Sequence, residues 1–259
     1  TEIYTLSLHD ALPIYTTSYG IDRYGRVMLV PLLKELCKID KIEWIRLHYC
    51  YPERITDELI DLIANEGKIC NYFDIPIQHC NDDILRKMGR TGSRAALDGI
   101  IEKIRNKIPN ATLRTTIITG FPTETDEQYL EMLDFIKKTE FERLGVFAYS
   151  QEEGTPASEM EGQVDEDTKQ NRREILMLTQ AEVTQKLSEA KIGRTVRVLT
   201  EGYDTITKQH FGRSEADSAD IDGKVFYKSK TRIPEGTFVD VLIKNAIDYD
   251  LFGELIQKG

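Results

Sequence analysis

The sequence predicts an α/β domain, built as a partial (β/α) barrel, followed by a small antiparallel β-barrel. Three observations carry this expectation. Residues 27–164 alternate apolar strand-like runs with amphipathic helical runs, which is the grammar of parallel βα units. Residues 166–192 then form one helical pattern without Pro or Gly. From Thr195 the runs shorten and the turns Asp222-Gly223 and Glu235-Gly236 separate them, as in a small barrel of roughly 65 residues.

Taken in order, the strands expected in the first part are Ile42–Tyr49, Tyr72–Ile77, Thr112–Thr119 and Leu144–Ser150. Thr56–Asn65 reads as a helix because Thr56 is a cap and Asp57 and Glu58 suit the positive helix start. Ser93–Ile108 places Leu97, Ile100, Ile101 and Ile104 on one face. Thr125–Lys138 opens with Thr125-Asp-Glu-Gln128, a capping box. Met160–Asp165 is polar and reads as a linker, and the long helix Glu166–Ile192 stops at Gly193, a natural residue to follow a helix. The terminal strands are expected at Thr195–Thr200, Lys224–Tyr227, Thr237–Ile243 and Leu251–Ile256. The units are therefore 15–165, 166–193 and 194–259, with Thr1–Ile14 set apart because it has no clear period.

Composition narrows the functional classes. The chain has 259 residues, 40% of them hydrophobic, enough apolar material for a substantial core. No run approaches the roughly 18 apolar residues of a membrane span. Nothing at the start has the order of a signal peptide, so the default compartment is the cytoplasm. Net charge is −10, and residues 194–259 carry 10 basic against 11 acidic side chains. A domain gripping RNA through phosphates should instead be basic. Cys37, Cys50, Cys70 and Cys80 have no CxxC or CxxxCxxC spacing, so they read as reduced, structural thiols.

Four segments collect polar residues at strand ends, where α/β active sites lie. Arg46 and His48 alternate with Ile45 and Leu47, so they share the inward strand face; a buried Arg46 there demands an anionic partner. Asp74-Ile-Pro-Ile-Gln78-His79 places three polar residues around Pro76, which does not suit the interior of a central strand. Gly120-Phe-Pro-Thr-Glu124 is a turn between a strand and a capped helix, with a Gly that would let a ligand approach the backbone. Gly145–Ala157 is a strand and then a loop with Glu152 and Glu153, a pair that also suits an ordinary solvated surface.

Together, WIRLHYCYP (Trp44–Pro52), DIPIQH (Asp74–His79), RTTIITGFPTET (Arg114–Thr125) and GVFAYSQEEGTPA (Gly145–Ala157) resemble the radical SAM methylthiotransferase family in order and spacing. Gly212-Arg213-Ser214, Asp220-Ile-Asp222-Gly223 and Tyr249-Asp250-Leu251 resemble its terminal TRAM domain. The likeness runs from about Tyr15 to Gln257 and is greater to the ribosomal-protein branch than to the transfer-RNA branch.

The resemblance implies a partial radical-SAM barrel and a TRAM-like β-barrel. It implies S-adenosyl-L-methionine and two [4Fe-4S] clusters as cofactors, and insertion of a methylthio group at the β-carbon of an aspartate in ribosomal protein S12. Ile118 would pack near the adenine, Gly120 and Glu124 would help bind the cofactor, and Arg46, His48, Gln78 and His79 would line the barrel mouth. The terminal barrel would dock ribosomal protein S12 or the small ribosomal subunit. Glu201, Asp204, Glu215, Asp217, Asp220 and Asp222 would give it an acidic face for that basic partner.

Two readings compete with this one: a transfer-RNA methylthiotransferase, and a non-catalytic interaction module. The chain departs from the family in two places. The CxxxCxxC segment that ligates the radical-SAM cluster is absent, which leaves no metal ligand and makes the chain an inactive C-terminal fragment, with Thr1–Ile14 read as a non-native segment. Thr123 stands where the family usually has Gly, and a turn needing positive φ would be strained there.

Overall fold

The computed structural model describes residues 15–256. Thr1–Ile14, expected to be non-native, lies outside the described residues.

The first part runs α1 (Ile21–Tyr24), α2 (Leu29–Cys37), β1 (Ile45–Leu47), α3 (Asp57–Asn65), β2 (Ile69–Asp74), α4 (Asp82–Lys87), α5 (Arg94–Lys107), β3 (Thr112–Thr119), α6 (Asp126–Thr139) and β4 (Arg143–Ala148). Its sheet has the order β1-β2-β3-β4 with every pairing parallel. Leu47, Phe73, Leu113, Ile117, Leu144 and Val146 lie in one buried core with Leu59, Ile63, Leu97, Ile104, Met132 and Phe135 of the helices. The opposite sheet face therefore carries Arg46, Tyr72, Asp74, Arg114 and Arg143, the polar side of the period-two pattern. Strand β1 is shorter than the expected Ile42–Tyr49, and β2 starts three residues earlier than Tyr72. At the other end β2 stops at Asp74, short of the expected Ile77, because Pro76 ends the regular ladder, and Gln78 continues beside β3 only as an isolated bridge to Ile117.

The helix starts are as expected. Thr56 Oγ1 accepts from the Leu59 amide at 3.2 Å, Ser93 Oγ from Ala96 at 3.2 Å, and Thr125 and Gln128 form the reciprocal capping box. Helices α2 and α4 are short and were not separated out by the sequence pattern; α4 is capped by Asn81.

Helix α7 (Glu166–Glu189) follows, capped by Asp165. Its 24 residues make a rod of about 36 Å. It packs on β4 and α6 and reaches β8. The expected linker before it is tied down, since the Gly162 carbonyl accepts from the Thr123 amide at 2.7 Å.

The terminal part is a closed barrel of β5 (Thr195–Asp204), β6 (Gln209–Ser214), β7 (Val225–Lys228), β8 (Phe238–Ile247) and β9 (Asp250–Leu255), in the order β5-β6-β7-β9-β8. Strand β6 lay hidden in the sequence because His210, Gly212 and Ser214 supply its inward face without a single aliphatic residue. Gly212 is required there: a Cβ would stand 2.0 Å from the Leu199 carbonyl oxygen. The barrel departs from a purely antiparallel one at one seam, β7 with β9, which pair parallel. An odd number of strands cannot alternate direction all the way round, so one parallel neighbour is obligatory. Val198, Val225, Tyr227, Val241, Ile243 and Leu251 fill the interior.

Candidate functional site

The sequence-derived site residues separate into two groups. One gathers where β3 ends. Gly120 adopts φ 68° and its amide donates to Glu124 Oε2 at 3.0 Å. The other carboxylate oxygen accepts from Arg172 of α7 at 2.8 Å, and the Glu124 side chain is 0% exposed. Lys169 of the same helix covers Gly120 so closely that a Cβ would meet its Cγ at 2.2 Å. The Thr119 hydroxyl donates to the Lys169 carbonyl at 3.3 Å. The glycine is thus needed for helix packing and for its left-handed backbone. Glu124 shapes the turn and has no free edge for a cofactor.

His79 is fully buried beside this carboxylate. Its Nδ1 accepts from the Asn81 amide at 2.9 Å, which places the ring proton on Nε2, 3.4 Å from Glu124 Oε2. It therefore backs the turn instead of lining a mouth. Gln78 and Ile118 are half-buried. Gln78 sits at φ 68°, with its carbonyl accepting from the Ile118 amide at 2.8 Å. Ile118 pairs in register with Phe147, whose ring is 60% exposed. Ile118 and Phe147, with the polar Gln78 beside Ile118, form an open surface at the strand ends.

Thr123 occupies the strained position anticipated for it, at φ 71°. Such a conformation costs a non-glycine residue about 1–3 kcal/mol. Its hydroxyl accepts from Lys87 Nζ at 2.7 Å, an exposed bond of little net value. Thr123→Gly is expected to raise stability by about 1 kcal/mol. Urea unfolding should show a higher midpoint at unchanged slope; a lower midpoint would mean that the hydroxyl bond outweighs the strain.

The second group lies under the loop joining β6 to β7. Arg46 donates through NH2 to the carbonyls of Ser214 (3.1 Å) and Glu215 (2.9 Å) and rests 5.1 Å over the Tyr72 ring. Its hydrogen bonds go to two carbonyls, because the loop turns its main chain onto β1, while the Glu215 carboxyl interacts with it electrostatically. His48 Nδ1 is 3.4 Å from Asp74 Oδ2 and its Nε2 is 3.3 Å from Ser218 Oγ. Tyr72 donates its hydroxyl to Asp222 Oδ2 at 2.7 Å, and burial next to that carboxylate raises the phenol well above its usual range. Arg143 binds Asp217 at 2.5 Å with both side chains buried, and its Nε is 3.8 Å from Asp222. Burial alone would push the Asp217 carboxyl up; Arg143, Lys191 and the Ser214 hydroxyl hold it below its ordinary value.

This overturns the expected acidic docking face. Asp217 and Asp222 point into the chain's own sheet, Glu201 is paired with Arg213 at 2.9 Å, and Asp204 caps its own turn. Glu215 is largely covered, and burial raises its carboxyl while Arg46 and Arg197 oppose that. Of the six, Asp220 is the one that projects from the exposed loop tip.

Among the described residues no group of three or more His, Cys, Asp or Glu side chains could hold a metal ion. The four cysteines do not suit an iron–sulfur cluster. Open apolar surface beside Ile118 does suit an adenine ring, with the turn behind it fixed by Glu124.

Residues 14–136 match the radical SAM superfamily and residues 192–256 match the TRAM domain. The chain is 46% identical over 245 residues to the ribosomal protein uS12 methylthiotransferase RimO of Alkaliphilus oremlandii, covering 94% of this chain and 56% of the relative. The chain carries a radical SAM domain and a TRAM domain and is similar to RimO methylthiotransferases over nearly its whole length. The RimO proteins of Lachnoclostridium phytofermentans and Desulfitobacterium hafniense are each 47% identical, and 54% of each is covered. The chain thus spans about half the length of these family members. Coproporphyrinogen III oxidase of Escherichia coli, a radical SAM enzyme of known structure, aligns with a TM-score of 0.48 at 18% identity, over 60% of this chain and 36% of that one. Within the family frame, Arg172, Lys169 and the Arg143–Asp217 pair are the residues that sequence reasoning missed. A signal existed for Arg172: a carboxylate buried in a turn needs a cation, and α7 carries Arg at 172 and 173.

Proposed function

We propose that the chain is the cofactor-binding half-barrel and docking domain of an enzyme that inserts a methylthio group at the β-carbon of an aspartate in ribosomal protein S12. Identity of 46–47% across more than nine-tenths of the chain to RimO proteins carries this reading. In the reaction one β-hydrogen of the aspartate is replaced by SCH3. S-adenosyl-L-methionine supplies the methyl group and the radical chemistry; the two [4Fe-4S] clusters belong to the whole enzyme and have no ligands among this chain's dispersed cysteines. Ile118, Gln78 and Phe147 present the surface against which the cofactor's adenine packs. The terminal barrel docks ribosomal protein S12, in the cytoplasm where ribosomes are. No helix among the described residues is long and apolar enough to cross a membrane.

The test is mass spectrometry of ribosomal protein S12 and of transfer RNA from a host lacking its own enzyme and expressing the full-length gene. One added CH2S unit on an S12 aspartate, with unmodified transfer RNA, is expected. A methylthio group on transfer RNA and none on the protein would overturn the substrate assignment.

A further inference from the structure

We infer that Arg172, on the helix between the two domains, is a positioning residue that sets the shape of the cofactor turn. The inference rests on the reading of Gly120–Glu124 as that turn. Arg172 is 6% exposed and donates its guanidinium hydrogen bonds to Glu124 and Asp126: NH1 on the Glu124 carboxylate (2.8 Å) and carbonyl (3.2 Å), NH2 on Asp126 (2.6 Å). It lies 5.4 Å from the Tyr129 ring centre, and the Tyr129 hydroxyl donates back to the Arg172 carbonyl at 3.3 Å. Two bonds to Glu124 and a third to Asp126, two residues on, fix Glu124 in position, which matches the planar fork of an Arg and not the single point of a Lys.

The consequence passes through Glu124 to the backbone. Its second oxygen receives the Gly120 amide at 3.0 Å, and Gly120 follows β3 directly, two residues beyond Ile118. If Arg172 is removed, the carboxylate is left buried with no charged partner but His79, beside the Gly120 amide, and it turns or takes up a proton. The Gly120 amide then loses its acceptor or keeps a weaker, uncharged one. Asp126 is 83% exposed, so its arm of the network matters little by comparison. The helix that holds Arg172 also sends Gln180 to the Phe141 carbonyl (2.7 Å) and packs against β8. The cofactor turn and the terminal barrel are therefore braced by one rod.

Hydrogen exchange of the 259-residue chain tests this directly. In Arg172→Met the amides of Gly120 and Glu124 should exchange roughly tenfold to a hundredfold faster, with β3 amides such as Leu113 and Thr115 unchanged. Arg172→Lys should recover part of the protection, and Asp126→Asn should keep nearly all of it. Unchanged exchange at Gly120 in Arg172→Met, or a uniform rise across β3, would overturn the positioning role. Equilibrium dialysis with S-adenosylhomocysteine separates the two ideas. Weaker binding in Arg172→Met, partly restored in Arg172→Lys, supports the positioning of a cofactor turn. Equal binding in all variants, with the exchange pattern as expected, would mean that the turn is braced by Arg172 but is not where the cofactor sits.

Discussion

Anaerobic incubation of the 259-residue chain with iron and sulfide should yield no stoichiometric [4Fe-4S] absorbance. A radical-SAM cluster needs three thiolates presented together. Here Cys37 lies on α2, Cys50 follows β1, Cys70 is within β2, and Cys80 follows that strand. Burial pushes the Cys50 and Cys80 thiols up to about 12 and the Cys70 thiol to about 11. The Asp74 carboxylate adds to the rise at Cys50, while Arg94 works against it at Cys80. At neutral pH all three are thiols, and a thiol is not the ligating form. Iron and sulfide counts after gel filtration, with the absorbance spectrum, give the answer. A stable cluster at full occupancy would show that the chain rearranges to bring distant cysteines together.

How much of this was legible in the sequence depends on where the decisive partner sits. Thr112–Thr119 was readable to the residue, because β3 is central and its alternation is complete. The caps at Thr56 and Thr125 were readable because a cap is a local bond. Strand β6 was not: its inward residues are His, Gly and Ser, and only neighbouring strands reveal them as core. At the site, the inward face of Arg46 and His48 followed from the period of two. Their partners did not, since Ser214, Glu215 and Ser218 lie some 170 positions away along the chain. Glu124 was singled out by its likeness to a known turn, but its role was not legible. That a buried carboxylate folds back on Gly120 while Arg172 holds it from behind is a fact of packing between α7 and the sheet.

Replacing Arg143 with Met should cost roughly 3–5 kcal/mol of stability, the usual penalty for breaking a buried ion pair from one side. The residue is 5% exposed at the start of β4, and it is the cation shared by Asp217 and Asp222 of the β6–β7 loop. Without it, the buried Asp217 is left with Lys191 and the Ser214 hydroxyl, and Asp222 with Arg114 at 3.8 Å and the Tyr72 hydroxyl. Asp217→Asn should cost less, because Arg143 keeps Asp222 and the asparagine still accepts from Ser214. The double variant should therefore be more stable than Arg143→Met alone, a coupling that a double-mutant cycle by urea unfolding measures. The pH dependence gives an independent check. Asp217 is held below its ordinary value in the folded protein, so its contribution is complete above the unfolded carboxylate value of about 3.9 and is lost as pH falls through the lower folded value. In Arg143→Met the carboxyl loses its strongest partner and keeps Lys191 and the Ser214 hydroxyl, so it rises under burial, and acid relieves the buried charge by protonating it. The gap between wild type and Arg143→Met should narrow as pH falls from 7 towards 4. A gap that stays constant over that range would mean the penalty comes from lost packing of the long side chain, and the loop would then be held to the sheet by shape and not by charge.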